Sequence, residues 1–453
     1  MEVNVKNSSI TSTENLYQLN GKISIKQAIP FGLQHILAMF VSNIAPIFIV
    51  AAACGLSTEQ SAMLIQSAML IAGIGTLIQL FPIMHVLGSG LPIVMGISFT
   101  FVSVFCYLGP IYGYNSIIGA VLIGGLIEGI LGLLARFWIK IITPIVSACV
   151  VTSIGFSLLS VGATSFGGGS GSPDFGSAKN WILGMITLVS CIIFHMVASS
   201  YFKQLSILFG LIVGYIAAIV MGMVDFSSLA GTRIIAFPHI MPFKPEFNIN
   251  AIISVTLIFL VSATDTIGDS TALASTGLNR EATIKELSGS LACDGFISSL
   301  SAIFGCLPIT SYSQNVGLVA MTKVVNRYAI ATGAGIMILA GIFPIFGALL
   351  STLPEAVLGG CTLMMFGNIV VSGVQMIEKC GFTQRNITIA ALSLSIGVGF
   401  TQVPEIFAIF PQLFRSVFAE NCVAVVFIVA ILLNLILPKD ETDSDTSANS
   451  DTI

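Results

Sequence analysis

The sequence predicts an all-α protein that crosses a membrane many times. Composition is the first reason: 55% of the 453 residues are hydrophobic and only 8% are charged, against roughly 25% charged in a soluble domain. The second reason is distribution, because the apolar residues gather into fourteen runs, most of them long enough for the roughly 20 residues that cross about 30 Å of hydrocarbon. The third is the abundance of Gly (44) and Pro (16), both commoner in membrane helices than in soluble ones. Mean hydropathy is +0.99. With so little polar surface, the soluble-enzyme, nucleic-acid-binding and fibrous classes are excluded, and no nucleic acid is expected as a partner.

The chain opens on a polar segment, 1–30, holding Lys6, Lys22 and Lys26. No small-residue cleavage site follows it, so a retained cytoplasmic tail is expected. The apolar runs then lie at 31–55, 60–81, 90–108, 114–135, 141–162, 181–200, 206–224, 251–274, 287–304, 308–323, 328–350, 354–374, 386–402 and 421–438. The third and tenth are the weakest as helices, since each begins with Gly, Pro and polar residues. The end, 439–453, is acidic and free of aromatics, which predicts disorder. The nine cysteines are odd in number and widely spaced, with no CxxC pair and no Cys/His cluster. They predict neither disulfides nor a metal site, and no cofactor is expected.

Charge fixes the orientation. With the N-terminus in the cytoplasm, fourteen spans leave thirteen Lys and Arg inside. Lys179, Arg233, Lys244 and Arg415 fall outside, completing the 17 in the chain. That is the bias of the positive-inside rule. Both termini are predicted to be cytoplasmic.

The two weak runs share a tripeptide, Leu91-Pro92-Ile93 and Leu307-Pro308-Ile309, 216 residues apart. Seven spans per half is an odd number, so the second half is predicted to be inverted relative to the first. Paired, interrupted hydrophobic segments in corresponding positions point to a transporter's binding site, because non-helical backbone at membrane depth persists only where it is buried in protein or lines a cavity.

Ionisable side chains at membrane depth are costly and need a reason. Asp265 and Asp269 stand at i and i+4 in the eighth run, on one helix face, and read as a water-accessible site. Asp294 in the ninth run reads equally as a functional acid or as a tie to the tenth. Glu128 in the fourth run and His35, beside Gln34 in the first, read as structural hydrogen-bonding groups. The polar stretch 310–315, with Ser313, Gln314 and Asn315, sits where an unwound backbone needs amide partners. No phosphate-binding loop is present for an ATP-driven pump, so transport is expected to run on an ion gradient, with carboxylates as proton carriers.

Residues 314–323, Gln-Asn-Val-Gly-Leu-Val-Ala-Met-Thr-Lys, resemble the signature of the nucleobase–ascorbate transporter family, [QEP]-N-x-G-x-x-x-x-T-[RKG], at every specified position. Gln34-His35, the run Ser98-Phe99-Thr100-Phe101 and Asp265-x-x-Gly268-Asp269 fit as well, and the resemblance extends over about 30–438. It implies fourteen spans in two inverted repeats of seven, with spans 3 and 10 broken by short strands. A core domain (31–140 and 251–350) would move against a gate domain (141–224 and 351–438), joined by an extracellular loop at 225–250. It also implies a homodimer in the lipid of the plasma membrane.

Carried over by position, the resemblance implies that Asp265 binds substrate, where the family usually has Glu. The shorter arm brings the substrate closer or places a water between. Phe99 would pack on a nucleobase ring and Gln314 would hydrogen-bond its edge, with Thr100 and Ser313 beside them. Asp269, Asp294, Asn315, His35 and Gln34 would carry proton coupling or support the site. Uracil-type members tend to have Glu in place of Gln314, and urate users tend to have a small hydroxyl residue where Thr100 stands. The implied activity is proton-coupled import of xanthine or uric acid. A uracil permease and an inorganic-anion carrier of the same fold are the alternatives.

Overall fold

A computed structural model describes residues 13–438 apart from 170, 204, 230–234 and 420. The first twelve residues with Lys6, the acidic tail at 439–453 with Lys439, and Arg233 lie outside the described residues.

Every apolar run contains a helix, and the helices follow in order. They are α1 (Ile25–Ala53), α2 (Thr58–Leu80), α3 (Val102–Tyr112), α4 (Tyr114–Leu133), α5 (Pro144–Phe166), α6 (Ala178–Val197), α7 (Ser206–Val220), α8 (Ile249–Leu278), α9 (Ile284–Ile303), α10 (Ser313–Thr322), α11 (Arg327–Ile342), α12 (Glu355–Lys379), α13 (Gln384–Thr401) and α14 (Cys422–Ile436). Seven of them, α1, α2, α4, α5, α6, α8 and α12, are long and apolar enough to cross a membrane unaided. Two strands, β1 (Met95–Ile97) and β2 (Ile309–Ser311), precede α3 and α10.

Local chemistry sets several boundaries. Two helices start on reciprocal caps. The Ser57 hydroxyl accepts from the Gln60 N–H while the Gln60 side chain accepts from the Ser57 N–H, and Thr283 and Glu286 do the same for α9. Helix α1 begins six residues ahead of its apolar run, at an extended Ser24, because Lys26 and Gln27 are good helix formers that hydropathy alone rejects. The run at 328–350 is not one helix. It breaks after Ile342, and a second helix, Pro344–Leu350, leaves at 82°. Pro344 has no N–H to give and disfavours helical dihedrals in the residue before it. Phe343 accordingly takes φ −103 and ψ 93.

The packing comes in matched sets. Helix α4 lies along α9 as α11 lies along α2. Helix α1 meets α11 as α8 meets α4, and α6 lies on α7 as α13 lies on α14. Helices α5 and α12 pair with each other, as do β1 and β2. Replacing every helix by the one seven places away leaves this pattern unchanged. The α4–α9 seam is close because both faces are glycine: a Cβ on Gly295 would stand 2.2 Å from the Gly129 nitrogen, and one on Gly132 would stand 2.4 Å from that of Ala292.

The strand pair sits at the centre. β1 and β2 run antiparallel with Gly96 opposite Thr310, and all six residues are buried. Two three-residue strands are not stable alone. Their outer edges are satisfied by side chains from neighbouring helices, as buried backbone requires. Asn43 Oδ1 of α1 accepts from the Ile97 N–H at 2.7 Å, and Thr76 Oγ1 of α2 accepts from that of Met95 at 3.0 Å. On the other strand, Ser298 Oγ accepts from the Ile309 N–H at 3.1 Å, and Asp294 Oδ2 from that of Ser311 at 2.9 Å.

Candidate functional site

Each strand hands the chain to a helix too short to cross a bilayer. α3 has 11 residues and α10 has 10, about 15 Å at 1.5 Å per residue. The residues that lead into them or open them, Phe99–Thr100 and Ser313–Gln314, line the same space, so the positive ends of two helix dipoles approach it. Between β1 and α3 lies one 3₁₀ turn, Phe99–Phe101; after β2 the chain enters α10 almost at once.

A cavity of about 310 Å³ opens at these ends. Asp265 of α8 lines it, together with Phe99 and Thr100 from the first segment and Ser313 and Gln314 from the second. All five residues that the sequence assigns to substrate contact are thus brought to one wall. The Thr100 hydroxyl donates to Asp265 Oδ2 at 2.8 Å, while Oδ1 has no protein hydrogen-bond partner among the described residues. The carboxylate is therefore steered by one oxygen, and the other is a buried acceptor without a donor among the described residues. The Phe99 ring is held edge-on to Phe366 of α12, centroids 5.5 Å apart. Among the described residues, no Lys or Arg side chain lines the cavity.

The remaining predicted residues stand behind this wall rather than in it. Asp269, one turn along α8, accepts from the Ser313 hydroxyl at 2.8 Å. Asp294 is fully buried and accepts four hydrogen bonds, from Gln79 Nε2 (3.0 Å), the Thr266 hydroxyl (2.6 Å), the Ser311 N–H (2.9 Å) and the Ser311 hydroxyl (3.2 Å). It ties α2, α8 and α9 to β2. The Asn315 amide nitrogen lies 2.9 Å from His35 Nδ1, a contact that joins α1 to α10. Gln34 is buried nearby, and its Nε2 finds no partner among the described residues. Glu128 departs from its reading as a hydrogen-bonding group. Both its carboxylate oxygens are buried without a partner among the described residues, and the nearby seam hydroxyls of Ser299 and Ser288 donate instead to backbone carbonyls of α4, those of Leu122 and Gly132.

The far wall was not legible as part of a site. α12 contributes Asn368 and Ser372, and α5 contributes Ile154. The available signal was a pair of polar residues at i and i+4 inside the apolar run 354–374.

A sequence profile described as a permease family matches residues 26–406. The chain belongs to the nucleobase–ascorbate transporter family. It is similar to the xanthine permease XanQ of Escherichia coli strain K12, with 35% identity over 438 residues, covering 93% of this chain and 94% of that one. The uric acid permease PucK of Bacillus subtilis strain 168 is 34% identical over 424 residues, covering 92% and 97%. Among solved structures, the murine solute carrier 26 family member A9 anion transporter superposes with a TM-score of 0.62 at 13% identity, over 96% of this chain and 74% of that chain. That likeness is one of fold. As a nucleobase–ascorbate transporter family member the protein is a multi-pass membrane permease and not an enzyme.

Proposed function

We propose that this chain is a proton-coupled symporter that imports a purine base, xanthine or uric acid, by alternating access. The observation that carries the reading is the join of Asp265, Gln314 and Phe99 in one cavity of about 310 Å³. An oxopurine is flat and alternates N–H donors with C=O acceptors along its edge. The Asp265 oxygen that lacks a protein donor accepts from a ring N–H, and Gln314 offers both a donor and an acceptor. The Phe99 ring meets the base face, and the helix N-termini receive a carbonyl oxygen. The volume lies at the low end of the roughly 300–1,000 Å³ of ligand pockets, which suits a free base. Relatives named for xanthine and for uric acid point the same way, as does Gln314 where uracil-type members carry Glu. A cavity wall without a cationic side chain weighs against an inorganic-anion carrier.

The same reading includes the architecture. The fourteen helices are fourteen spans in two inverted repeats, with spans 3 and 10 broken at β1 and β2; the matched packing sets support this. Residues 31–140 and 251–350 form the core and 141–224 and 351–438 the gate, with 225–250 an extracellular connection. Both tails face the cytoplasm, the carrier sits in the plasma membrane as a homodimer, and the cavity opens alternately as core and gate move. Asp265 is the carboxyl group through which proton and base communicate, since coupling between two sites acts in both directions; the alternative is that Asp269, one turn along, holds the proton while Asp265 is a fixed acceptor.

The test is uptake of labelled xanthine into proteoliposomes under an imposed pH gradient, challenged with urate, uracil, hypoxanthine, adenine and sulfate. Accumulation against the gradient, blocked best by xanthine and urate, is the expected result. Accumulation blocked by uracil alone overturns the purine assignment, and uptake indifferent to the pH gradient overturns proton coupling.

A further inference from the structure

The far wall of the cavity is built from gate-side helices, and most of it is apolar. α5 gives Val151 and Ile154, α7 gives Ile207, and α12 gives Met365 and Ile369. Two polar residues interrupt this surface, Asn368 and Ser372, both on α12. They stand at i and i+4 and so share one face of the helix. Asn368 is the fourteenth residue of a 25-residue helix, hence close to mid-membrane, where an amide side chain is expensive unless it faces protein or a cavity. Both residues are exposed, and the cavity accounts for that exposure. No side-chain hydrogen bond to another described residue holds either of them. They therefore face the space that Asp265 and Gln314 face from the other side, with donor and acceptor capacity free.

We infer that Asn368 is a specificity-determining residue of the carrier, reading the edge of the base turned away from Asp265 and Gln314, with Ser372 as a second polar contact one turn on. This rests on the nucleobase reading given above. A planar base held by one edge presents its opposite edge to α12, and a carboxamide offers one donor and one acceptor in a plane, which matches two neighbouring ring positions. The two walls already touch at this depth. Phe366 of α12 meets the Phe99 ring, and the Ser42 hydroxyl of α1 lies 3.8 Å from Met365 Sδ. A contact made from the gate side changes whenever core and gate move. It thus checks the identity of the base as the cavity closes, where Asp265 and Gln314 hold the base in either state. A site with a polar group aimed at a particular ring position discriminates strongly against an analogue that leaves this group unpaired.

The experiment compares purified full-length wild type with Asn368→Ala and Asn368→Ser, measuring equilibrium binding of xanthine and of xanthines methylated singly at each ring nitrogen and at C8. Thermal stability in the same detergent confirms that each variant is folded, and the serine variant keeps a polar group where alanine proves unstable. For Asn368→Ala the expected result is xanthine binding weakened about tenfold, the scale of one lost hydrogen bond to a polar ligand. The penalty for a methyl group at one ring position should relax, while penalties at the other positions stay as in wild type. Asn368→Ser should fall between the two. A methyl panel for Asn368→Ala that matches wild type at every position overturns the inference. So does a uniform loss across the panel, which a merely structural role would give. If wild type binds no member of the panel, it is the nucleobase reading that falls, and this inference with it.

Discussion

The two strand-led segments are alike in backbone and unlike in side chains. Each begins with Leu-Pro-Ile, forms a three-residue strand and ends in a helix of 10 or 11 residues. The first brings Phe99 and Thr100 to the cavity; the second brings Ser313 and Gln314. The division extends to α8, where each of two acids one turn apart accepts a hydroxyl from a different segment. Asp265 is held by Thr100 and Asp269 by Ser313, both at 2.8 Å. A repeat of this kind fixes where two short helices start, and leaves the residues at those starts free to take separate tasks. One segment supplies an aromatic ring and a hydroxyl that donates to Asp265; the other supplies an amide side chain and a hydroxyl that donates to Asp269.

The largest expected effect comes from breaking the pair of acids. Asp265→Asn keeps the shape and removes the titratable group that faces the cavity. Uphill accumulation driven by a pH gradient should vanish, with weak binding or exchange retained. Asp269→Asn leaves the cavity wall intact and should retain binding close to wild type. Proteoliposome uptake of both variants under the same gradient decides between them. If Asp265→Asn still concentrates xanthine or urate, Asp269 is the coupling carboxyl and the division on α8 is reversed.

The strands differ in what supports them, and stability should show it. β2 leans on the Ser298 hydroxyl and on Asp294, which accepts from the Ser311 N–H and three other donors; β1 leans on neutral Asn43 and Thr76. Asp294→Ala strands several buried donors at once, at about 1–3 kcal/mol for each unsatisfied group. It should lower the thermal midpoint far more than Asn43→Ala, which chiefly leaves the Ile97 N–H unpaired. Melting curves of the two variants in one detergent check this. Equal shifts would mean that the strands are held alike.

Next in size are substitutions that separate the face of the base from its edge. Every base has a π face, and alanine substitution of a stacked aromatic costs about 1–3 kcal/mol per base whatever the base. Phe99→Ala should therefore weaken xanthine, urate and hypoxanthine by a similar factor, roughly tenfold or more. Gln314→Glu should change the order of preference instead, with purine uptake falling and uracil gaining. A competition panel that Gln314→Glu leaves in wild-type order would remove Gln314 from the site.

Much of this was legible in the chain because it rests on local pattern. The fourteen apolar runs, the two weak ones and the matching Leu-Pro-Ile triplets placed the helices and the strand-led segments, and the acids of α8 stood out against an apolar background. What stayed hidden depends on partners distant in sequence. Asp294 read as a functional acid or a tie with equal force, because Gln79, 215 positions away, and Ser311 are chosen by the fold. Asn368 and Ser372 were absorbed into an apolar run, since hydropathy averages over a helix and does not say which face meets a cavity. The break at Phe343 follows from Pro344, yet a proline in a membrane helix often leaves only a kink, so sequence alone did not distinguish the two outcomes.

The smallest effect tests the comparison most finely. Thr100→Val keeps the branched shape and deletes the hydroxyl, leaving Asp265 Oδ2 without its donor. A single hydrogen bond to a carboxylate contributes about 1–3 kcal/mol, and here part of that loss is regained if the freed oxygen turns to the ligand. The expected change is a loss of base affinity of about fivefold, shared by all purines because Thr100 acts through Asp265. Thr100→Asn adds bulk beside the imidazole side of the purine, where urate carries its extra oxygen, and should narrow the range toward xanthine. Ser313→Ala deletes the matching hydroxyl on the other segment and frees Asp269, which does not line the cavity. Its effect on affinity should be smaller than that of Thr100→Val and should appear instead in the response of uptake to the pH gradient. Binding isotherms for the three variants, with uptake measured at two imposed gradients, separate these outcomes. If Ser313→Ala weakens binding more than Thr100→Val does, the two segments do not divide their tasks as their side chains suggest.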